Sequence, residues 1–110
     1  MEIPTTITVT VTAEDLRLGM PCTSDACPLA RALDRVENVV AVRVSSRKRA
    51  TLYFQTDERR ERAPVPKGRG YRIDDTGRDL ILAVDGSKNP NPPKMPTAPV
   101  RVTLTAIGVW

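Results

Sequence analysis

The chain has 110 residues, 40% of them apolar, with 17 basic and 13 acidic side chains and a formal net charge of +4. That length suits one domain, residues 1–110, around a single core, and no apolar run reaches the roughly 20 residues of a membrane span. The absence of histidine excludes Ser-His-Asp and Cys-His nucleophilic centres and His-ligated zinc, and the two cysteines do not complete a four-ligand zinc site.

The opening Met1-Glu-Ile-Pro lacks a basic region followed by an apolar one. No signal peptide is therefore expected, and the expected address is cytoplasmic, with reduced thiols. Tyr53, Phe54, Tyr71 and Trp110 are the only aromatic residues, so the core is expected to be aliphatic. Charge is unevenly placed. Arg43 to Arg72 holds ten basic and three acidic residues, a balance of +7; the remainder holds seven and ten, a balance of −3.

Thr5 to Thr12 alternates Ile7, Val9 and Val11 with threonines, the pattern of a half-buried strand. Thr12-Ala-Glu-Asp15 matches a capping box with Asp as its acidic member, so a short helix is expected over Ala13 to Leu18, stopping at Gly19. Met20 to Thr23 is a turn. A second helix follows from about Ser24 to Val36, with Leu29, Leu33 and Val36 on one face and Arg31, Asp34 and Arg35 on the other. Pro28 fits only its first turn, which places the cap at Asp25 or Cys27, with Ser24 less favoured.

Val39 to Val44 and Ala50 to Gln55 read as a hairpin around Ser45-Ser-Arg-Lys-Arg49. Val40, Val42, Val44, Leu52 and Phe54 are expected to face inward, Ala41, Arg43 and Tyr53 outward. Residues 56–70 are charged and broken by Pro64, Pro66, Gly68 and Gly70. They are expected to form a basic flexible loop, or to end in a short irregular strand near Tyr71-Arg-Ile73. Asp75 is placed as the cap of a third helix in which Leu80, Ile81 and Val84 share a face; a buried strand over 80–84 is the alternative. Residues 88–99, with five prolines, form an extended connection. Val100 to Ala106 is the last strand, and its threonines suit a place beside the first. The order β-α-α-β-β-α-β predicts an α+β fold, a mostly antiparallel four-stranded sheet with helices packed on one face.

Three stretches carry a resemblance: Ile7-Thr-Val-Thr-Val-Thr-Ala-Glu-Asp15, Cys27-Pro-Leu-Ala-Arg-Ala-Leu33, and Tyr71-Arg-Ile73 leading to Leu80-Ile-Leu-Ala-Val-Asp-Gly86 with the late Pro-rich connection. In these the chain resembles small uncharacterised proteins of actinobacterial phages and prophages, whose middle stretch looks like Cys-Pro-Ile-Ala-Leu-Ala-Leu and whose later one looks like Phe-Ile-x-x-Phe-Asp-x-Gly. It departs from them in lacking the aromatics of the third helix and in its arginine-rich middle. The resemblance implies a phage-accessory setting and brings no catalytic residue or activity.

Four features are candidate sites. Arg47, Lys48 and Arg49 at the hairpin tip, with Arg59, Arg60, Arg62, Lys67 and Arg69 beyond it and Tyr53 and Tyr71 beside them, suit a phosphate backbone with stacked bases, or an acidic protein. A solvated basic surface is the plain alternative. Cys27 reads as a small buried residue fixing a helix start and Cys22 as a loop residue; a reactive or bridged pair is the other reading. Asp74, Asp75 and Asp79 suit a helix start better than a metal site. Trp110 is either an anchor for a partner or a lid over the sheet edge.

No catalytic, cofactor or metal residue is assigned. The expected function is that of a non-enzymatic accessory protein binding a host or phage macromolecule, first of all a protein, in host takeover or counter-defence. The alternative is a nucleic-acid-binding module using residues 43–72.

Overall fold

The computed structural model describes residues 3–20, 23, 25–55, 59–60, 63–64, 66–85 and 97–107, with the backbone alone at 59–60, 63–64 and 85. Along the chain run β1 (Thr6–Val11), α1 (Ala13–Leu18), α2 (Pro28–Leu33), β2 (Val39–Val44), β3 (Arg49–Phe54), β4 (Arg59–Arg60), β5 (Ala63–Pro64), β6 (Lys67–Ile73), α3 (Asp75–Asp85) and β7 (Val100–Ala106). The class is α+β, as expected, but the main sheet has five strands and not four, in the order β1-β7-β6-β3-β2. All its neighbours are antiparallel. A separate two-residue ribbon pairs β4 with β5.

The extra strand is β6, Lys-Gly-Arg-Gly-Tyr-Arg-Ile. It begins at Lys67, inside the stretch expected to be a loop. Glycines and charges favour no strand by themselves. Here β3 offers a ladder on one side and β7 on the other. Gly68 also leaves room for Tyr53, since a Cβ there would come 2.9 Å from Tyr53 Cε1.

The alternation of β1 and β7 folds as its pattern dictates. Thr6 opposes Thr105, Thr8 opposes Thr103, and the hydroxyls of Thr8 and Thr103 lie 3.1 Å apart. Ile7, Val9, Val11, Val102 and Leu104 turn to the other face and are buried. They meet Leu52, Phe54, Tyr71 and Ile73 from the middle strands, with Leu29, Leu33 and Leu80 from the helices, in one core that is aliphatic, as expected, except for the fully buried rings of Phe54 and Tyr71. α2 packs against both β1 and β2, the two edges of the sheet, which therefore curls around it. α3 lies over β6 and β7 on the same side, with Gly77 so close to Ile73 and Val102 that a Cβ would come within 2.4 and 2.7 Å of them.

Local chemistry sets each helix start. Thr12 caps α1 by accepting from Asp15 N, and the Asp15 carboxylate accepts from Thr12 N in return. α1 stops at Gly19 as expected, though in extended backbone. The glycine is needed there for close approach, because a Cβ would sit 2.5 Å from Pro28 Cδ. Cys27 is the cap of α2, its sulfur accepting from Ala30 N at 3.4 Å, with Pro28 first in the helix. α2 ends at Leu33, short of Val36, and the chain turns through Asn38 at φ 67, a conformation that asparagine tolerates. The cap of α3 is Asp74 and not Asp75: Asp74 Oδ1 accepts from Gly77 N and Oδ2 from Thr103 N. Residues 80–84 are helical, the preferred of the two sequence readings.

One inward placement changes. Val40 is 50% exposed, because a bulge between Val39 and Ala41 shifts the register of β2. Val42 and Val44 remain inside. Of the Pro-rich connection, only residues 97–99 are described, and they carry neither helix nor strand. Cys22, Arg62 and Trp110, and with Cys22 any bridge to Cys27, lie outside the described residues. Among the described residues no helix is long and apolar enough to cross a membrane.

Candidate functional site

The helices occupy one face of the sheet; among the described residues no helix packs on the other. Strand alternation decides what that uncovered face displays. It carries Thr6, Thr8 and Thr10 from β1, Arg101 and Thr105 from β7, Arg72 from β6, Arg49 and Tyr53 from β3, and Arg43 from β2. No outward strand position of this face is acidic.

Arg49 and Arg72 are direct cross-strand partners. Ile73 N donates to Lys48 O at 2.8 Å, so the hydrogen-bonded pair is 48/73 and the pair 49/72 is the non-hydrogen-bonded kind, in which side chains come closest. Two like charges set opposite one another in this way destabilise a sheet by roughly 0.2–1 kcal/mol. Among the described residues no carboxylate lies within ion-pair distance of Arg43, Arg49, Arg72 or Arg101. Every ion pair formed among the described residues uses an arginine of the helical layer: Arg31, Arg35 or Arg78. Among the described residues the ion pairs are thus confined to the helical side of the sheet, and the arginines of the other side carry none.

The predicted basic site is divided by the same geometry. Arg47, Lys48 and Arg49 are exposed at the hairpin tip and the adjoining strand. Tyr53 is half-buried on the uncovered face, over Gly68. Lys67 and Arg69 project to the opposite side, being paired with the inward Phe54 and Leu52. The Arg69 Nε is buried and has no hydrogen-bond partner among the described residues. Tyr71 is fully buried in the core, tilted against Phe54, and its hydroxyl donates to Pro4 O at 2.6 Å. Its ring is not available for stacking, and burial raises its hydroxyl pKa against the lowering effect of the Arg69 cation. Arg59 and Arg60 lie on the β4 ribbon, with side chains outside the described residues, as is all of Arg62. Arg43, Arg72 and Arg101 complete the face. Of these the sequence marked Arg43 as an outward strand residue, but no register in it joins the three across the sheet.

A second feature was hidden in the sequence. Asp15 is 1% exposed and accepts two bonds from Arg35, at 2.6 and 2.7 Å. Arg31 Nε approaches to 3.4 Å without hydrogen-bond alignment. Arg35 also donates to Thr10 O at 3.2 Å, tying α1, the turn after α2 and β1 together. The Arg35 bonds hold the Asp15 carboxyl down at about 2 against the opposing effect of burial, with the Thr12 amide helping. Asp15 in turn raises the Arg35 pKa. A carboxylate locked in this way is a structural group, not a proton carrier.

A cavity of about 270 Å³ opens between the start of α2, α3 and the hairpin tip. Leu29, Leu80, Ile81 and Val84 are among its apolar walls, and Ser45, Ser46 and Arg47 stand at its polar side. Among the described residues no carboxylate lines it, and no group of three or more His, Cys, Asp or Glu side chains is placed to hold a metal ion. Asp74, Asp75 and Asp79 serve α3: Asp74 as its cap, the other two beside Arg78 at 3.6 and 3.4 Å. No protein-family model, no curated protein and no solved structure matches the chain.

Proposed function

We propose that this chain is a non-enzymatic binding module whose uncovered sheet face and hairpin tip dock an acidic protein. The setting is that of a phage or prophage accessory protein in a bacterial cytoplasm, in host takeover or counter-defence. The observation that carries the reading is the set of Arg43, Arg49, Arg72 and Arg101 on a helix-free face, without a carboxylate partner among the described residues. Complementary charge of that kind steers association and selects partners. The cross-strand Arg49–Arg72 pair acts against folding stability, which is what a surface kept for a partner rather than for the fold would show.

A second reading, a nucleic acid on the same face, is favoured by Tyr53 lying among these arginines. It ranks lower because Tyr71 belongs to the core, which leaves one half-buried ring among the described residues where base stacking needs a platform.

The test is Arg49→Glu. It turns a repelling cross-strand pair into an attracting one, so its thermal midpoint should equal or exceed that of the wild type. Capture of a protein from nuclease-treated host lysate should be lost in the same variant. Retention of the captured protein by the variant would refute the reading. Salt-dependent binding of DNA or RNA, lost in the variant, would move the assignment to the second reading.

A further inference from the structure

The sheet has two edges, and the chain treats them differently. At β2 the edge is broken by the bulge between Val39 and Ala41 and carries Arg43. Both are devices that discourage a further strand from adding. At β1 the edge is Thr-Ile-Thr-Val-Thr-Val, six residues with no charge, no proline and a regular pairing to β7.

The bonding phase along β1 is known. Ala106 N donates to Thr5 O at 2.7 Å, so Thr5, Ile7, Val9 and Val11 turn their backbone groups toward β7. Thr6, Thr8 and Thr10 then turn theirs away from the sheet. Among the described residues one side chain reaches this row: Arg35, at Thr10 O. Beside the edge runs an open groove between β1 and the α2 region, with Ile7, Val9, Ala32 and Val36 among its lining residues. A strand added there would need apolar side chains toward the groove and small polar ones on the outer face.

We infer that β1 is the interface between two copies of this chain, paired antiparallel about a twofold axis at Thr8. β1 itself meets the requirement. Its Ile7 and Val9, buried in the core of their own copy, would stand opposite Val9 and Ile7 of the other copy on the inner side of the seam, while its threonines continue the outer ladder. In this register Thr8 faces Thr8, and Thr6 of each copy faces Thr10 of the other. Every outward N–H and C=O of the three threonines is then used, the Thr10 carbonyl accepting through its second lone pair. The strand has no charge to oppose its own copy. The two Arg35 side chains stand about 13 Å apart along the strand direction, four residues at about 3.3 Å each, beyond the screening length of about 8 Å in physiological salt. An isologous contact of this type is self-complementary. The pairing does not depend on which partner binds the outer face, although it would merge two such faces into one.

Sedimentation from micromolar to millimolar concentration tests the pairing. The wild type should approach twice the 12.1 kDa of one chain, and exchange of the Thr8 amide should slow as concentration rises. Thr8→Pro removes an outward N–H without touching the β7 ladder, and Thr6→Lys places a charge against the other copy. Each should sediment as a monomer with an unchanged circular dichroism spectrum. Should Thr8→Pro fail to fold, Thr6→Lys decides alone. A wild type that stays monomeric up to millimolar concentration overturns the pairing and leaves the edge to a strand of another protein. A dimer that persists in the folded variants overturns it as well.

Discussion

Asp15→Asn isolates the charge at the centre of the Asp15–Arg35 contact, since the amide keeps the size of the side chain and can still accept from Thr12 N. The magnitude follows from linkage. The carboxyl titrates at about 2 in the folded chain against 3.8 for the ordinary value. At about 1.4 kcal/mol per pH unit, that gap is worth about 2 kcal/mol at neutral pH. Asp15 is buried but Arg35 is 51% exposed on its side chain, so solvent screening holds the contribution at or below that figure. The folded value is depressed, so the stabilisation is complete above pH 3.8 and is lost as pH falls toward 2. Urea unfolding of wild type and variant at pH 7 and pH 3 measures it. The variant should lose about 2 kcal/mol at pH 7 and roughly half of that at pH 3. An equal deficit at both pH values, or none at pH 7, would refute the assignment of the charge to this contact.

Two further outcomes test the placement of other residues. Tyr71→Phe should lower stability by about 1 kcal/mol through the lost bond to Pro4 O and leave partner binding unchanged, as read by urea titration and by the capture assay. Val40→Lys should move stability by no more than about 0.5 kcal/mol, whereas Val42→Lys should cost about 3 kcal/mol or more by burying an unpaired charge; thermal melts of the two variants check the bulge.

The threonine–valine strands at either end were legible because their period of two has a single physical meaning, and their adjacency followed from matching threonines. The capping box at Thr12 and the helical stop at Gly19 were legible for the same local reason. β6 was legible only at its Tyr71-Arg-Ile73 end, as one of two readings, because Lys67 to Gly70 owes its strand form to neighbours already in place and not to its own propensities. The Arg35–Asp15 contact was missed because its partners are 20 residues apart and helical phase assigned Arg35 to solvent. α2 ends at Leu33, which frees Arg35 to turn back. Tyr71 was placed at the basic site on the strength of its neighbours in sequence. One position of strand alternation puts it on the opposite face from Arg72. The bare arginine face emerges only when register joins residues 43, 49, 72 and 101.

The adjacency of β1 and β7 has a consequence for biosynthesis. β1 has its ladder neighbour in β7, with Thr8 and Thr103 95 residues apart, so all the elements between them must leave the ribosome before that seam can close. Until then a run of valine, isoleucine and threonine waits with both of its flanks open, which makes prompt synthesis of β7, rather than early local folding, the condition for avoiding aggregation.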